Sequence, residues 1–321
     1  MFNLPLTHPL IILSFIILII MMILYRKLTP SNNPDMVYYN DNNKANQIMN
    51  NINNIMNNKI DKKYKIGDTK QVEDSKNIDE IPKIIFRTGK NKYQDIDNIL
   101  NNLFNRMIEM NDNINLEYYD DTGARDFIIN NYPSEVLWAY DKLIPGAYKA
   151  DLFRYCILYK RGGIYSDLTQ IYNVSLDKII DFKKDNLVLV DDLYHNEYKD
   201  GKLTSPLRKG IQISFIASRP KNEIFLKAIN GIIENCQNNY YGKNPLEPTG
   251  PWHFRKILDT YNIPYRIGLK QMYDPNHRRS YLVDIEDNSI LLMINKLSNH
   301  SDYIKKEHYH KLWIDRNIYR L

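Results

Sequence analysis

The chain has 321 residues, 43% hydrophobic and 25% charged, which suffices for one large or two small domains with a sizeable buried core. Its net charge of +5 is mild, and its Lys and Arg are scattered. That excludes a basic nucleic-acid tract and leaves an ordinary solvated surface, with some help toward a polyphosphate partner. Two cysteines, Cys156 and Cys236, exclude a disulfide framework and a zinc-finger site, and Cys156 reads as a small core residue in an apolar helical run.

Residues 9–25 carry no charged side chain. They are short but adequate for a membrane-spanning helix, which needs roughly 17–25 apolar residues. A secretory signal peptide is the rival reading. It requires a charged start and a small-residue cleavage site, and neither is present. Arg26 and Lys27 follow the run, so the positive-inside rule places the following chain on the cytosolic side of a single-pass membrane protein. Against that orientation stand two sequons, Asn173-Val174-Ser175 and Asn299-His300-Ser301, which are modified only in a secretory lumen. The flanking charge is given the greater weight. Residues 26–80 are polar and rich in Asn, Lys and Asp, and read as a linker with too little apolar surface to offset the entropy of ordering.

The character changes at Ile81, and residues 81–321 read as one domain. A short apolar run at 83–88 predicts a buried strand. Helical spacing predicts a helix over 96–110, then a strand at 116–119 and helices near 124–130 and 133–142. A further helix is expected at 148–160, a short strand at 164–166, strands at 187–190 and 211–217, and a helix at 222–236. Strand and helix alternate, which predicts an α/β domain with a mostly parallel sheet.

The informative stretch is residues 146–169. Asp151 and Arg154 are three apart on one helix and share a face. From spacing alone, the bland reading is a surface ion pair worth a few tenths of a kcal/mol. Gly162 and Gly163 let the chain turn sharply from that helix into a strand. The strand delivers Asp167 to its C-terminal end, where open α/β sheets bind ligands. By itself an Asp-x-Thr carries no signal, since an Asp opening a turn is common.

The run as a whole resembles the retaining glycosyltransferases of family 32, which carry a DXD sugar-binding region and include relatives of the yeast initiating mannosyltransferase, with the glucosylating clostridial toxins as distant cousins. The matching residues are Ala147, Ala150-Asp151, Arg154-Tyr155, Leu158-Tyr159, Gly162-Gly163, Tyr165 and Asp167. Flanking pieces agree: the strand opening at Ile81-Pro82, Ser218-Arg219-Pro220 before a helix, Thr249-Gly250-Pro251, and the segment from His308 to Trp313.

The resemblance implies a GT-A-like single nucleotide-binding domain. It also implies transfer of a hexose, with retention, from a nucleotide-sugar donor to a hydroxyl of a glycan, lipid or protein acceptor, with a divalent cation such as manganese or magnesium. Asp151 and Arg154 would contact the sugar, ribose or phosphate. Asp167 would serve the ribose and the metal, Tyr155 would belong to the donor site, and His310 and Trp313 would cover the pyrophosphate. Two positions depart from the pattern. Thr169 stands where the relatives place the second acid, the direct metal ligand, and a neutral hydroxyl is a poorer ligand for a hard cation. Weaker metal binding, help from Asp191 or Asp192, metal-free chemistry and a dead donor site all follow as alternatives. Arg87-Thr88-Gly89 occupies the turn that in relatives holds a base-stacking aromatic. A non-catalytic sugar- or nucleotide-binding relative and a structural membrane protein are the competing readings.

Overall fold

The computed structural model describes residues 79–92, 98–192, 198–199, 202–203, 210–274, 279–294 and 308–320. The expected membrane helix at 9–25 and nearly all of the linker at 26–80 lie outside them. Among the described residues no helix is long and apolar enough to cross a membrane.

The chain opens with β1 (Ile84–Thr88), α1 (Asn98–Met110), β2 (Asn115–Tyr119), α2 (Asp121–Asn131), α3 (Ser134–Lys142) and α4 (Gly146–Arg161). Two short strands follow, β3 (Gly163–Ser166) and β4 (Gln170–Tyr172), then β5 (Leu187–Asp192). A small ribbon of β6 (Tyr198–Lys199) and β7 (Lys202–Leu203) precedes the long β8 (Gly210–Ser218). The chain continues through α5 (Glu223–Gln237), α6 (Pro251–Thr260), β9 (Arg266–Asp274), β10 (Arg279–Asp284), β11 (Ile290–Ile294) and α7 (Tyr309–Ile314).

Among the described residues nine strands form the main sheet, in the order β2-β1-β3-β8-β5-β9-β10-β11-β4. The pairs β1–β2, β1–β3 and β5–β9 are parallel, and the remaining neighbours are antiparallel. The expected mostly parallel sheet therefore holds for direction, since β2, β1, β3, β5, β9 and β11 all run the same way. It does not hold for pairing. β8 is inserted antiparallel between β3 and β5, and β9, β10 and β11 form a meander that hydrophobic alternation alone does not distinguish from parallel strands.

Alternation along each strand divides the core into two layers. Phe86 of β1, Tyr165 of β3 and Leu189 of β5 face the layer of α2 to α6, where they meet Phe127, Phe153, Phe225 and Phe254. Ile85, Ile164 and Val188 face the opposite layer with Phe104 and Met107 of α1 and the segment around Leu176–Lys178. α4 lies deep in the first layer, and Leu152, Phe153, Cys156, Ile157 and Leu158 are fully buried. That explains why its sequence shows no sharply one-sided apolar stripe.

Two positions next to α4 require glycine. Gly162 ends the helix at φ 63°, and a Cβ there would stand 2.5 Å from the Pro220 backbone nitrogen. Gly163 has φ 92°, and its Cβ would meet the Ile84 carbonyl at 2.8 Å. The pair turns the chain directly from α4 into β3 beside β1.

Candidate donor site

The site is built where α4, β3 and the turn after β3 converge. Asp151 and Arg154 form an ion pair at 2.5 Å, and they are 8% and 4% exposed. The surface reading of this pair is therefore overturned: spacing fixes the shared face of the helix but not its depth, and this face points inward. Arg154 also reaches across to Asp167, Nη2 to Oδ1 at 3.2 Å. One guanidinium thus joins two carboxylates that are sixteen positions apart in sequence. The second oxygen of Asp151 accepts from the Thr249 hydroxyl at 2.8 Å. Burial pushes the Asp151 carboxyl above its usual range, while Arg154 and Thr249 pull it back. Burial disfavours the Arg154 charge as well, but the Tyr165 ring 4.2 Å away, Asp151 and Asp167 outweigh it and hold the cation. Asp167 is the open end of this chain of charges, with 42% of its side chain accessible.

The turn carrying Asp167 and Thr169 is anchored from beneath. The Asp167 amide donates to the Ser214 carbonyl at 2.8 Å. Gln170 accepts from Ser166 at 2.8 Å and donates to the Ser214 hydroxyl at 2.9 Å. Ser214 is brought there by an irregularity in β8. The β5–β8 pairing advances two positions along β5, from Val188 to Val190, while it moves five along β8, from Ala217 to Gln212. Bulges of this kind often re-aim a strand beside a functional site.

Arg87 completes the support. It is fully buried, donates to the Leu168 carbonyl at 3.2 Å and to the Gln170 carbonyl at 3.1 Å, and lies between the rings of Phe104 and Tyr172. Its burial lowers its pKa from the ordinary guanidinium value. Arg87 therefore turns into the core and clasps the turn that bears Asp167, and does not stand at the mouth of β1. Sequence reading missed this role. A lone arginine inside a strand of five residues is the signal that was available, because an arginine is seldom fully buried without partners.

A cavity of about 370 Å³ lies beside this helix. Thr88 at the end of β1, Gly89 and Lys90 after it, Gly146 and Lys149 at the start of α4, and His308 and Tyr309 are among its lining residues. The other expected residues stand as follows. Tyr155 is in the core, stacked on Phe254 at 5.2 Å with its hydroxyl on the Thr249 carbonyl, so it supports the Thr249 loop and does not line the cavity. Trp313 donates its indole N–H to the Tyr241 carbonyl at 2.6 Å. His310 is exposed beside it, and neither lines the cavity. On this helical segment the lining falls to His308 and Tyr309, and Tyr309 packs against Tyr148 at 6.1 Å.

The residues at the turn do not compose a protein-held metal site. Asp167 offers one carboxylate with an oxygen already on Arg154, and Thr169 offers a neutral hydroxyl. A cage made by the protein alone needs about six oxygens, whereas a cation held through one or two carboxylates takes the rest of its shell from substrate oxygens and water. Asp191 and Asp192 are buried at the end of β5, and Asp191 acts electrostatically on Arg255 of α6. Among the described residues no cluster of three or more His, Cys, Asp or Glu could hold a metal ion.

Residues 21–185 match the model of the glycosyltransferase sugar-binding region containing a DXD motif. An uncharacterised glycosyltransferase of Acanthamoeba polyphaga mimivirus is 28% identical over 198 residues, which cover 60% of this chain and 64% of that protein. Inositol phosphoceramide mannosyltransferase 3 of Schizosaccharomyces pombe is 34% identical over 102 residues, covering 32% of this chain and 28% of the relative. The chain thus spans less than two thirds of either relative. Among solved structures, the PaToxG glycosyltransferase aligns with a TM-score of 0.39 and 17% identity over 57% of this chain and 70% of that one. The family model covers more than half of the chain and contains the α4–β3 segment with Asp151, Arg154 and Asp167, so the protein belongs to the glycosyltransferases with a DXD sugar-binding region.

Proposed function

We propose that the protein transfers a hexose from a nucleotide-sugar donor to an acceptor hydroxyl with retention of configuration. The observation that carries this is the buried Asp151–Arg154–Asp167 chain, whose open end is held at the C-terminal edge of β3 by Arg87 and Ser214. A sugar donor presents hydroxyls and a diphosphate. Asp167 accepts from hydroxyls, and Arg154, planar and permanently charged, donates in a fixed fork and orients both carboxylates. The neighbouring cavity of about 370 Å³ suits a nucleotide portion. In the transfer, the bond from the anomeric carbon to the diphosphate oxygen breaks and one to the acceptor oxygen forms on the same face. The acceptor proton passes to the leaving phosphate. The chain's contribution is positioning and electrostatic stabilisation.

The acceptor in this reading is a hydroxyl on a lipid headgroup. Support comes from the name of the S. pombe relative, which acts on inositol phosphoceramide, and from the apolar run at 9–25, which would hold the chain at a bilayer with its catalytic domain on the cytosolic side. Thr169 favours a second reading, a relative that binds donor without turning it over. Full-length protein in detergent, given a panel of nucleotide sugars with and without inositol-containing phospholipid, separates the two. Transfer of sugar to lipid with the donor's anomeric configuration, read by NMR, supports the proposal. Donor binding without turnover under every condition supports the second reading.

A further inference from the structure

We infer that this chain holds the donor's diphosphate with its own side chains, the lysines Lys90 and Lys149 together with His308, and brings no divalent cation of its own to the site. The inference rests on the nucleotide-sugar reading above and concerns what neutralises the leaving group.

The first strand of evidence is the donor chemistry at the turn. Magnesium and manganese sites in phosphate-handling proteins use one or two carboxylates together with substrate oxygens and water. Here the single carboxylate, Asp167, shares Oδ1 with the Arg154 guanidinium at 3.2 Å. A cation bound at that carboxylate would lie within a few ångström of a buried, permanently charged arginine. Like charges at such separations repel, and a divalent ion is repelled twice as strongly as a monovalent one. Thr169 supplies no charge to offset this.

The second strand is the sign of the adjacent cavity. Its lining includes Lys90 and Lys149 against one acid, Asp121, and His308 lines it too, with Nδ1 accepting from the His310 amide at 3.3 Å. Lys149 lies with its ammonium 4.8 Å from the Tyr140 ring, a contact that keeps a cation at the cavity wall. Gly146 and Ala147, the first turn of the sixteen-residue α4, open on the same space, and Pro145 provides no side-chain cap. The positive end of that helix adds to the field of the lysines. A diphosphate placed there meets several donors and fixed positive charge without a metal bridge.

The test uses the full chain and two probes, Mn²⁺ followed by electron paramagnetic resonance and a nucleoside diphosphate (GDP or UDP) followed by calorimetry. The expected results are that wild-type protein alone leaves the Mn²⁺ signal free at micromolar protein, and that diphosphate affinity is the same in manganese and in EDTA. Lys149→Ala should weaken that affinity about tenfold, one factor of ten being about 1.4 kcal/mol, with unchanged melting temperature, and Lys149→Arg should restore most of it. Thr169→Asp, which supplies the second carboxylate, should create Mn²⁺ binding. Micromolar Mn²⁺ binding by wild-type protein, or loss of diphosphate affinity in EDTA, overturns the inference. Absence of diphosphate binding under all conditions overturns the nucleotide-sugar reading instead, and the Mn²⁺ titration of protein alone still decides the metal question.

Discussion

Replacing Arg154 by Met isolates the charge network at the centre of the site. The substitution roughly conserves length and removes the cation that serves both Asp151 and Asp167. The two partners contribute unequally. Asp151, with 12% of its side chain exposed, would be left as an uncompensated buried carboxylate, and breaking a buried pair in this way costs about 3–5 kcal/mol. Asp167 is 42% exposed, so water screens its loss and it adds less than about 1 kcal/mol. For a domain of this size the sum corresponds to a fall in melting temperature of roughly 10 °C. The pH dependence has a definite sign. Burial raises the folded-state pKa of Asp151, and removing Arg154 raises it further. A carboxyl whose folded pKa exceeds its unfolded value favours the native state below the unfolded pKa, and that advantage is lost as pH rises through the folded value. The gap between wild type and Arg154→Met should therefore be widest near pH 8 and narrow toward pH 5. Urea denaturation of the full chain at the two pH values measures it. A gap equal at both, or one below about 1 kcal/mol as exposed pairs give, would refute the reasoning.

Two further substitutions address the supports of the site. Arg87→Met removes the donors to the Leu168 and Gln170 carbonyls and should cost about 2–4 kcal/mol. Because Arg87 positions the turn without touching substrate, turnover should fall at least about tenfold, one factor of ten being about 1.4 kcal/mol of transition-state stabilisation, while donor KM changes little, and Arg87→Lys should recover part of it. A fall in turnover that only tracks the fraction of folded protein, with turnover per folded molecule unchanged, would point to general destabilisation. Thr249→Val keeps the shape of the side chain and deletes the hydrogen bond to Asp151, a loss of about 1.5–3 kcal/mol by denaturation, whereas Thr249→Ser should stay near wild type. An unchanged midpoint in the valine variant would remove Thr249 from the network.

The α4–β3 segment was the most legible part of the molecule. Its residue types recur at fixed spacing, and Gly162 and Gly163 announce a turn that no larger residue could make at those dihedral angles. The boundaries were close as well. The helix read from 148 begins at Gly146, and the helix read from 124 starts three residues earlier because Asp120 caps it through the Gly123 amide at 2.7 Å. What escaped the sequence depends on tertiary placement. Spacing could not tell whether the Asp151–Arg154 face pointed to solvent or to the core. Arg87 gave no hint that its partners were carbonyls some eighty positions later. The irregularity in β8 that delivers Ser214 leaves no mark in an alternating strand, and the meander of β9, β10 and β11 was not read at all. Near the C-terminus, the expected pair His310 and Trp313 sits two to four positions beyond the residues that line the cavity, His308 and Tyr309, because a one-turn helix does not fix its own facing.

The central claim is that Asp167 serves a live donor site. Nucleotide release from a panel of nucleotide sugars, measured with full-length wild type beside Asp167→Asn, tests it most directly. Asp167 is half-exposed, and the substitution preserves its shape. The prediction is release with at least one donor by the wild type and a loss of at least a hundredfold in the variant, about 2.7 kcal/mol of transition-state stabilisation. Equal release by both proteins, or none from well-folded wild type with any donor and acceptor lipid, would contradict it.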